Sequence, residues 1–466
     1  MKKVLYIIPF LLLAWLSTYL TSCKKDILLS KDYLSFSVDT VLFDTIFTTV
    51  GSTTKRFKIY NKNDRPVKVS TIYLKGGTSS PYRVNLDGVS GLKFNNITIP
   101  ANDSLFMFVE VTLGENSGNT PFIIEDEVIF ETNGKEQSVL LAAWGQNAYF
   151  YHDTLVSGVW GADKPHVIYN LAVVDSLQNL TIQAGAKIHF HKQSMLYINS
   201  GSLDVQGTFS DKVIFEGDRL EPFYKDVKGQ WYGIYFNKAQ SSTIDNAIIK
   251  NGTAGIHVYG DYPSNSDYTL KITNTEIYNH SSYGIFNYSG GRIDGENISV
   301  HNNGVYAFLL LEGGDFNFRH SQFISYGTES NSPAFAIKNY FTRDNGVTYI
   351  GSINEGNVYN SIIDGGGETQ LGFDTIVQAG VTINYNFDTD FIKNDNQYNT
   401  SRFTNIFWNK NIKYKDVDND AVNRYIITTA SPCVNKGNPL NTTLFQDIVG
   451  NSRGMPTPDV GPYEAQ

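Results

Sequence analysis

The chain has 466 residues and a formal net charge of −9. It has no basic stripe of the kind that follows a phosphate backbone, so composition gives no indication of a nucleic-acid partner. Aromatic residues make up 14% of the chain, with 29 Tyr and 29 Phe, and Ile, Val and Thr are also frequent. These residue types favour strands, and many of the 40 glycines separate short apolar runs where tight turns need them. We therefore predict an all-β protein.

The first residues predict export and lipid anchoring. Lys2 and Lys3 precede an apolar run from Val4 to Leu20 that ends in Leu20-Thr-Ser-Cys23. Such a run describes a secretory signal, although its length also lies near the lower limit for a membrane-spanning helix. Leu-Thr-Ser-Cys resembles the bacterial lipobox. The resemblance implies a signal peptide over residues 1–22, acyl chains such as palmitate on Cys23, and a tether over residues 23–29. Two or more chains make a stable anchor, which implies the outer membrane but leaves the facing side open.

The second cysteine, Cys433, has no partner for an internal disulfide if Cys23 carries lipid. We predict that it is buried as a small apolar side chain rather than used as a catalytic thiol.

Residues 30–148 have the pattern of a β-sandwich. Apolar residues alternate in short segments that are separated by turn signals, and these segments are 35–38, 56–60, 67–74, 104–111, 127–131 and 138–142. Asn133-Gly134 between the last two predicts a hairpin. Short strands at intervals near ten residues predict an immunoglobulin-like sandwich, either a spacer or a carbohydrate- or protein-binding domain.

From residue 149 to about 430 the sequence predicts a solenoid. Strands of four or five residues with glycine corners follow one another too closely for helices to lie between them. Three copies of a repeat begin at Ile244, Ile272 and Ile293 and end at Asn251, Asn279 and Asn302, which we expect at equivalent corners. Asparagine tolerates left-handed backbone and can form amide ladders between coils, so these residues are interpreted as structural. Residues 316–323 and 358–363 are predicted to be later, degenerate rungs.

Two stretches carry a family resemblance. Residues 180–217, with Gly-Ser-Leu, Gly-Thr and Val-Ile-Phe-Glu-Gly elements, resemble the opening coils of the right-handed parallel β-helix superfamily that includes the pectate lyases. The tail, with Ser431-Pro-Cys-Val-Asn-Lys-Gly and Asp459-Val-Gly-Pro-Tyr-Glu464, is similar to the end of bacterial envelope β-helix proteins. The resemblance implies a right-handed β-helix over residues 149–430 and a cap over residues 431–466. It does not imply one activity, because the superfamily holds lyases, hydrolases, epimerases and proteins without known chemistry.

The cap also suggests an ion-pair cluster. Asp447, Arg453 and Asp459 are predicted to tie it down, in preference to a catalytic role.

Candidate acid–base residues are few. The Asp-Asp and Gly-His-Gly elements of polygalacturonases are missing, and only residues 274–276 and 292–294 come near that pattern. The most plausible group has the members Glu312, Asp315, Arg319 and His320, although ion pairing between coils explains them as well. His189 and His191 are two residues apart on a strand and are considered as metal ligands, but no acidic or cysteine residue lies nearby, so we predict no metal site.

The segment 218–232 is longer than a corner requires and mixes charges with aromatic residues. We predict that Phe223, Tyr224, Trp231 and Tyr232 are candidates for ligand binding, since exposed rings beside charges can stack on sugars. The alternative is a flap folded over the first coils.

These observations favour a lipid-anchored envelope protein that binds a glycan or a protein partner without catalysis. The alternative is a lyase or hydrolase acting on acidic polysaccharide, with a site assembled from several coils. No cofactor is indicated, and Ca²⁺ is possible in a lyase but unsupported by any carboxylate cluster in the sequence.

Overall fold

The computed structural model describes residues 33–116, 118–119, 121–263, 265, 267–326, 332–415 and 425–465. The predicted signal peptide and Cys23 lie outside these residues. The contacts divide the chain into two compact units, up to Gln146 and from Asn147. Within the described residues, strands are joined by turns and by three short 3₁₀ segments, Gly77–Ser79, Pro222–Tyr224 and Pro439–Asn441.

The first unit is a sandwich of two five-stranded sheets. One sheet has the order β1-β3-β8-β5-β6, formed by β1 (Ser35–Phe36), β3 (Lys55–Asn61), β8 (Asp103–Val111), β5 (Tyr82–Leu86) and β6 (Val89–Ser90). The other has the order β2-β10-β9-β4-β7, formed by β2 (Thr40–Phe47), β10 (Lys135–Gln146), β9 (Phe122–Thr132), β4 (Val67–Leu74) and β7 (Lys93–Ile99).

Alternation of side chains places the core of this unit between the two sheets. Phe57 and Ile59 of β3 and Val67 and Val69 of β4 are buried in one apolar cluster, as a period of two requires. The predicted hairpin at Asn133-Gly134 joins β9 to β10, with φ of 53° and 74° at its two residues. Positive φ at both positions is the conformation that Asn-Gly favours.

The second unit is a parallel β-helix with three sheets. Sheet I contains β12 (Gly158–Trp160), β14 (Asn179–Gln183), β17 (Ser202–Gln206), β20 (Ser242–Asp245), the first parts of β23 (Leu270–Tyr278) and β25 (Arg292–His301), β27 (Asp315–Arg319), β32 (Gly356–Tyr359), β35 (Asn386–Asp388) and β37 (Phe403–Thr404).

Sheet II follows sheet I in each coil. It contains the first parts of β11 (Tyr149–Leu155) and β13 (His166–Val174), β15 (Lys187–Phe190), β18 (Val213–Gly217), β21 (Ala247–Lys250), the second parts of β23 and β25, β28 (Gln322–Ser325), β33 (Ile362–Gly365), β36 (Phe391–Ile392) and β38 (Phe407–Trp408).

Sheet III completes the coil. It contains the second parts of β11 and β13, β16 (Met195–Asn199), β19 (Gly233–Asn237), β22 (Ala254–Tyr259), β24 (Tyr283–Tyr288), β26 (Tyr306–Leu311), β29 (Phe335–Lys338) and β34 (Leu371–Asp374). A hairpin of β30 (Tyr340–Thr342) and β31 (Thr348–Ile350) is inserted between sheets III and I. Every pairing between coils is parallel, which confirms the predicted all-β fold class with a sandwich followed by a β-helix.

Inward side chains form a continuous apolar interior along the coils, as in the run Leu196, Ile234, Ile256, Ile285 and Phe308 on sheet III. Because each strand pairs with its equivalent one coil later, each apolar side chain stacks on another of its kind.

The predicted asparagine corners are present between sheets II and III. Asn251, Asn279 and Asn302 have φ of 67°, 62° and 55°, and the Asn279 amide donates to Asn251 Oδ1 at 2.7 Å. The start of the third repeat copy is displaced, however, since Ile272 pairs with Gly295 and not with Ile293. Two more residues lie between start and corner in that copy.

A second ladder of left-handed residues, which we did not predict, lies between sheets I and II. Asn246, Asn274, Asn297 and Asn360 occupy it with positive φ, and the Asn297 amide donates to Asn274 Oδ1 at 3.0 Å.

Residues 425–465 run along the side of the β-helix, over this second ladder and the outer surface of sheet II. Cys433, near their start, and Val460, near their end, pack in one apolar cluster with Ile324 and Ile362 of late coils. Between Cys433 and Val460 in sequence, the carbonyl of Ile448 accepts from the Lys212 ammonium. Cys433 is fully buried and free, as predicted. The role of these residues as a cap for the last rung stays a prediction.

The predicted charge cluster of this tail is buried. Arg453 pairs with Glu464 at 3.0 Å and donates to Asn297 Oδ1 of the second ladder. Asp447 and Asp459 accept backbone N–H groups within the tail, from Asn451 and Asn435 among others, so they shape it rather than pair with Arg453 directly.

Candidate functional site

The candidate acid–base residues occupy separate places. Arg319 lies on the outer face of sheet I and pairs with Asp294 at 3.0 Å and Glu296 at 2.9 Å. The next residue, His320, is fully buried in the second ladder, with Nε2 2.7 Å from Thr442 Oγ1. Burial lowers the pKa of His320 well below its ordinary value, so the ring is neutral. These two residues tie coils and tail together and do not share a site.

Glu312 and Asp315 lie at the corner between sheets III and I. Glu312 accepts from the Ser289 hydroxyl at 3.1 Å and lies 3.5 Å from the Arg343 guanidinium. Asp315 accepts the backbone N–H of Asn354 at 2.8 Å, which places it in a structural turn. The structure therefore does not bring the four residues into one acid–base group.

The two candidate metal ligands each have an acidic neighbour one coil later. His189 is buried and lies 3.7 Å from Glu216, and His191 lies 2.7 Å from Asp218. The prediction that the two histidines lack an acidic partner is wrong, because pairing between β15 and β18 brings Glu216 and Asp218 alongside them. No group of three or more metal-ligating side chains occurs among the residues that the structure describes.

Segment 218–232 is a flap over the corner between sheets II and III. The amides of Asn251 and Asn279 donate to the carbonyls of Lys225 at 2.8 Å and Asp226 at 2.6 Å, which fastens the segment to the first ladder.

The four aromatic residues of this segment have different environments. Phe223 is 78% exposed, and the ring of Tyr224 lies 3.9 Å from the Arg219 guanidinium. Trp231 is fully buried and stacks on Phe190 with centroids 3.9 Å apart. As a ligand-binding residue Trp231 is therefore a wrong prediction, because its inward position in the coil makes it part of the core.

Tyr232 belongs to a larger aromatic surface on the outside of sheet III. We call this surface the aromatic face, and define it by residues that point outward from five successive coils: Tyr197, Tyr232, Tyr235, His257, Tyr259, Tyr283, Phe286, Tyr288 and Tyr306. All of them except the buried His257 are half-buried.

Rings of the aromatic face contact one another along the helix axis. Tyr235 and His257 stack with centroids 4.3 Å apart, and His257 and Phe286 stack at 4.6 Å. Tyr259 and Tyr288 are tilted by 57° at 5.3 Å. In the stacked pairs the ring faces contact each other, so the ring edges point outward. In the tilted pair the ring faces are only partly covered by each other.

The aromatic face carries no charge in its centre. The Tyr232 hydroxyl lies 2.9 Å from His257 Nδ1, and burial lowers the pKa of His257 to about 4, so the imidazole is neutral at pH 7. Burial also raises the pKa of Tyr235 to about 12, which keeps the phenol protonated. Among the described residues, the phenol oxygens of Tyr235, Tyr259 and Tyr283 make no hydrogen bond. The surface thus offers neutral hydroxyl groups and ring edges.

The hairpin of β30 and β31 borders the aromatic face at its later coils. Phe341 contacts Tyr288 edge to face at 6.2 Å, and the Arg343 guanidinium lies over the Tyr349 ring at 3.9 Å. The ion pair of Arg343 and Glu312 is the charged group nearest to the aromatic face, and it lies at this border. Of the four candidate acid–base residues, Glu312 is the one that lies at the edge of this surface.

Sequence reasoning found only Tyr232 of the aromatic face. A usable signal exists, since aromatic residues recur at outward positions of five successive strands of sheet III, with Tyr197 paired to Tyr235 and His257 to Phe286. Recognising it requires the register of the coils, whose lengths vary.

No family model matches the chain, and no curated protein matches it. A family 123 glycoside hydrolase from Clostridium perfringens is similar over 26% of this chain and 30% of its own length, with 8% identity and a TM-score of 0.19. The chain therefore spans less than a third of that enzyme's length. Domain 7 of human CEP192, which is ASH/PapD-like, is similar over 24% of this chain and 84% of its own, with 12% identity and a TM-score of 0.17.

The catalytic unit of a GH87 α-1,3-glucanase from Streptomyces thermodiastaticus is similar over 75% of this chain and 76% of its own, with 10% identity and a TM-score of 0.28. Similarity at these levels carries no inference about what this chain does.

Proposed function

We propose that this protein binds an uncharged glycan on the aromatic face of its β-helix and is held at the cell envelope by lipid on Cys23. The observation that supports binding is the continuous set of half-buried tyrosine and phenylalanine rings across successive coils of sheet III. Sugars are recognised by a combination of ring contact with their C–H faces and hydrogen bonds to their hydroxyl groups, and tyrosine supplies both.

The position of the aromatic face on sheet III supports the same proposal. The tail packs over the outer surface of sheet II and the ladder beside it, where Cys433 and Val460 bury Ile324 and Ile362. The outer surface of sheet I contains ion pairs such as Arg319 with Asp294. Sheet III is the surface on which aromatic residues are concentrated without such pairs in the centre, and concentrated aromatic surface marks interaction sites.

The neutral character of the surface favours an uncharged ligand over an acidic one. His257 is neutral at pH 7, and the nearest ion pair, Glu312 with Arg343, lies at the edge. A strongly acidic polysaccharide would lose hydration of its carboxylates there without gaining a cationic partner.

The test is affinity electrophoresis of full-length protein, purified in detergent, through gels containing neutral polysaccharides of different linkage or acidic ones. The double variant Tyr259→Ala/Tyr288→Ala removes the tilted pair. We expect it to bind the retarding glycan at least about tenfold more weakly, since each of the two aromatic contacts that it removes contributes about 1 kcal/mol. Tyr359→Ala, which removes a half-buried tyrosine from sheet I, is the matched control and should bind normally.

Two outcomes would contradict the proposal. In the first, no neutral glycan retards the protein, while wild type captures an envelope protein that the double variant does not capture. The aromatic face would then be a protein-binding surface. The other is release of reducing or unsaturated ends during incubation, which would make the protein an enzyme.

The anchor is tested separately. Metabolic labelling with palmitate should mark the full-length protein and not Cys23→Ala, which lacks the thiol that would receive the lipid. Protease added to intact cells then distinguishes a surface-exposed from a periplasmic protein. Among the residues described, no helix is both long and apolar enough to cross a membrane.

A further inference from the structure

Neutral side chains form three parallel rows on sheet III, and each row runs along the β-helix axis. The central row pairs in register on four successive coils and consists of Tyr197, Tyr235, His257 and Phe286. The amide–hydroxyl row lies two residues later on each of these strands and consists of Asn199, Asn237, Tyr259 and Tyr288. The third row lies on the other side of the central row and consists of Tyr283 and Tyr306.

Rings within a row repeat at the spacing of the coils. The centroids of Tyr197 and Tyr235 are 5.1 Å apart, and those of His257 and Phe286 are 4.6 Å apart. Adjacent strands of a sheet lie about 4.8 Å apart, so one ring on each coil is the repeat that the fold imposes. A ligand built from identical units can make the same contact on each coil only if its own repeat is close to this spacing.

Charged groups lie at both ends of the amide–hydroxyl row. At the early end the Asn237 amide donates to Asn199 Oδ1 at 2.9 Å, and the Asn199 amide donates to Asp175 Oδ1 at 3.1 Å. At the late end the row continues to Lys338, which pairs with Asp374 at 2.9 Å. The neutral stretch between these ends covers five successive coils, or about 20 Å. A ligand that lies along the rows therefore contacts neutral groups over this length.

We propose that the glycan on the aromatic face is a straight chain of pyranose rings with equatorial linkages, of the kind formed by β-1,4-linked glucose or N-acetylglucosamine. The chain lies parallel to the helix axis, with about one sugar on each coil. Both statements rest on the glycan binding proposed above, and they add to it the linkage and the direction of the chain.

The cross-section of such a chain matches the three rows. In a pyranose ring with equatorial hydroxyl groups, C–H bonds point to the two faces and the hydroxyl groups lie around the rim. Equatorial linkages keep successive rings in one flat ribbon, which has C–H faces and hydroxyl edges along its whole length. When the ribbon lies along the axis, one face contacts the central row, and its edges reach the amide–hydroxyl row on one side and the third row on the other.

Other linkages and other directions fit the rows less well. An axial linkage turns each sugar relative to the one before, so the chain curves away from a straight row of rings. A chain that lay across sheet III would leave the rows after the width of one strand. Tyr197 and Tyr306, on the first and the fifth of the five coils, could then not contact the same short chain.

The experiment is isothermal titration calorimetry of the full-length protein in a detergent without a sugar headgroup. The ligands are cello-, chito- and malto-oligosaccharides from the disaccharide to the heptasaccharide. In the equatorially linked series that binds more tightly, we expect affinity to rise up to about five sugars and then to level off, because the neutral rows end there. Maltopentaose, which has an axial bond at each anomeric carbon, should bind at least about tenfold more weakly than the pentasaccharide of that series.

Variants at the two ends of the rows test the direction of the chain. Tyr197→Ala and Tyr306→Ala should each weaken binding of the pentasaccharide at least about threefold. Each should leave binding of the trisaccharide within about twofold of wild type, since a short chain can bind on the remaining coils. Tyr359→Ala, at a half-buried tyrosine of sheet I, is the matched control and should keep the whole dependence on chain length.

The results separate failure of glycan binding from failure of the proposed linkage and direction. If no neutral glycan of any linkage binds, the aromatic face is not a glycan site, and both proposals are wrong. The linkage is wrong, while glycan binding stands, if maltopentaose binds as tightly as the equatorially linked pentasaccharide. The direction is wrong if affinity stops rising at the disaccharide or if neither end variant weakens binding of the pentasaccharide.

Discussion

Acidification should destabilise the β-helix through His257. Its side chain is 8% exposed between the rings of Tyr235 and Phe286, and burial lowers its pKa from 6.5 to about 4. The unfolded chain therefore binds more protons than the native state between these values, and the stability that the neutral ring confers is lost as the pH falls from 6.5 towards 4. The difference of about 2.5 pH units corresponds to about 3 kcal/mol in full, of which about 2 kcal/mol is lost by pH 5.

His257→Phe tests this assignment because it keeps a ring in the stack and removes the titration. Urea unfolding of both proteins at pH 7 and pH 5, followed by tryptophan fluorescence, gives the loss of unfolding free energy for each. Wild type should lose about 2 kcal/mol more than the variant. Other buried histidines add the same acid sensitivity to both proteins. His152→Ala, at a side chain that is 69% exposed, should behave like wild type. Equal losses in wild type and His257→Phe would refute the reasoning.

Three further variants address the core, the corners and the tail. Trp231→Ala should lower the unfolding free energy by about 3–5 kcal/mol because it empties the space against Phe190, measured by urea unfolding. Asn279→Ala should lower the unfolding free energy by about 2–3 kcal/mol. Asn279→Gly should lower it less, because glycine adopts the left-handed backbone and only the amide is lost. Equal losses in the two variants would contradict this reasoning. Arg453→Met removes a buried guanidinium from the half-buried Glu464 carboxylate and should lower the unfolding free energy by about 3–5 kcal/mol, with faster proteolysis of the tail than of the sandwich.

The fold was predictable because its signals are local. Alternating apolar residues and the Asn133-Gly134 turn define the hairpin of β9 and β10, which forms as expected. Likewise, corners with left-handed backbone favour asparagine, so the recurrence of Asn251 and Asn279 at the end of each repeat copy was enough to predict these corners. The prediction of the register was wrong where the coil length changes. The two extra residues before Asn302 displace the start of the third repeat copy, so that Ile272 pairs with Gly295.

The candidate sites were harder to predict because they depend on neighbours that are one coil apart in space and more than twenty residues apart in sequence. His189 was judged to lack an acidic neighbour, although Glu216 lies beside it on the next coil. Exposure also depends on which way a residue points in a coil of variable length. This is why Trp231, which is buried, was predicted to bind a ligand, and why the aromatic face that contains Tyr235 was not predicted.

The tail that runs along the side of the β-helix has a consequence for the order of folding. Arrays held by neighbour contacts alone can melt or form one segment at a time. Here the carbonyl of Ile448 accepts from Lys212 on an early coil, and the carbonyl of Asn438 accepts from Asn360 on a late coil. The tail thus connects coils that are not neighbours, so these contacts should make unfolding of the intervening coils more cooperative. Because the tail is synthesised after every coil it spans, the coils lack these contacts until synthesis is complete.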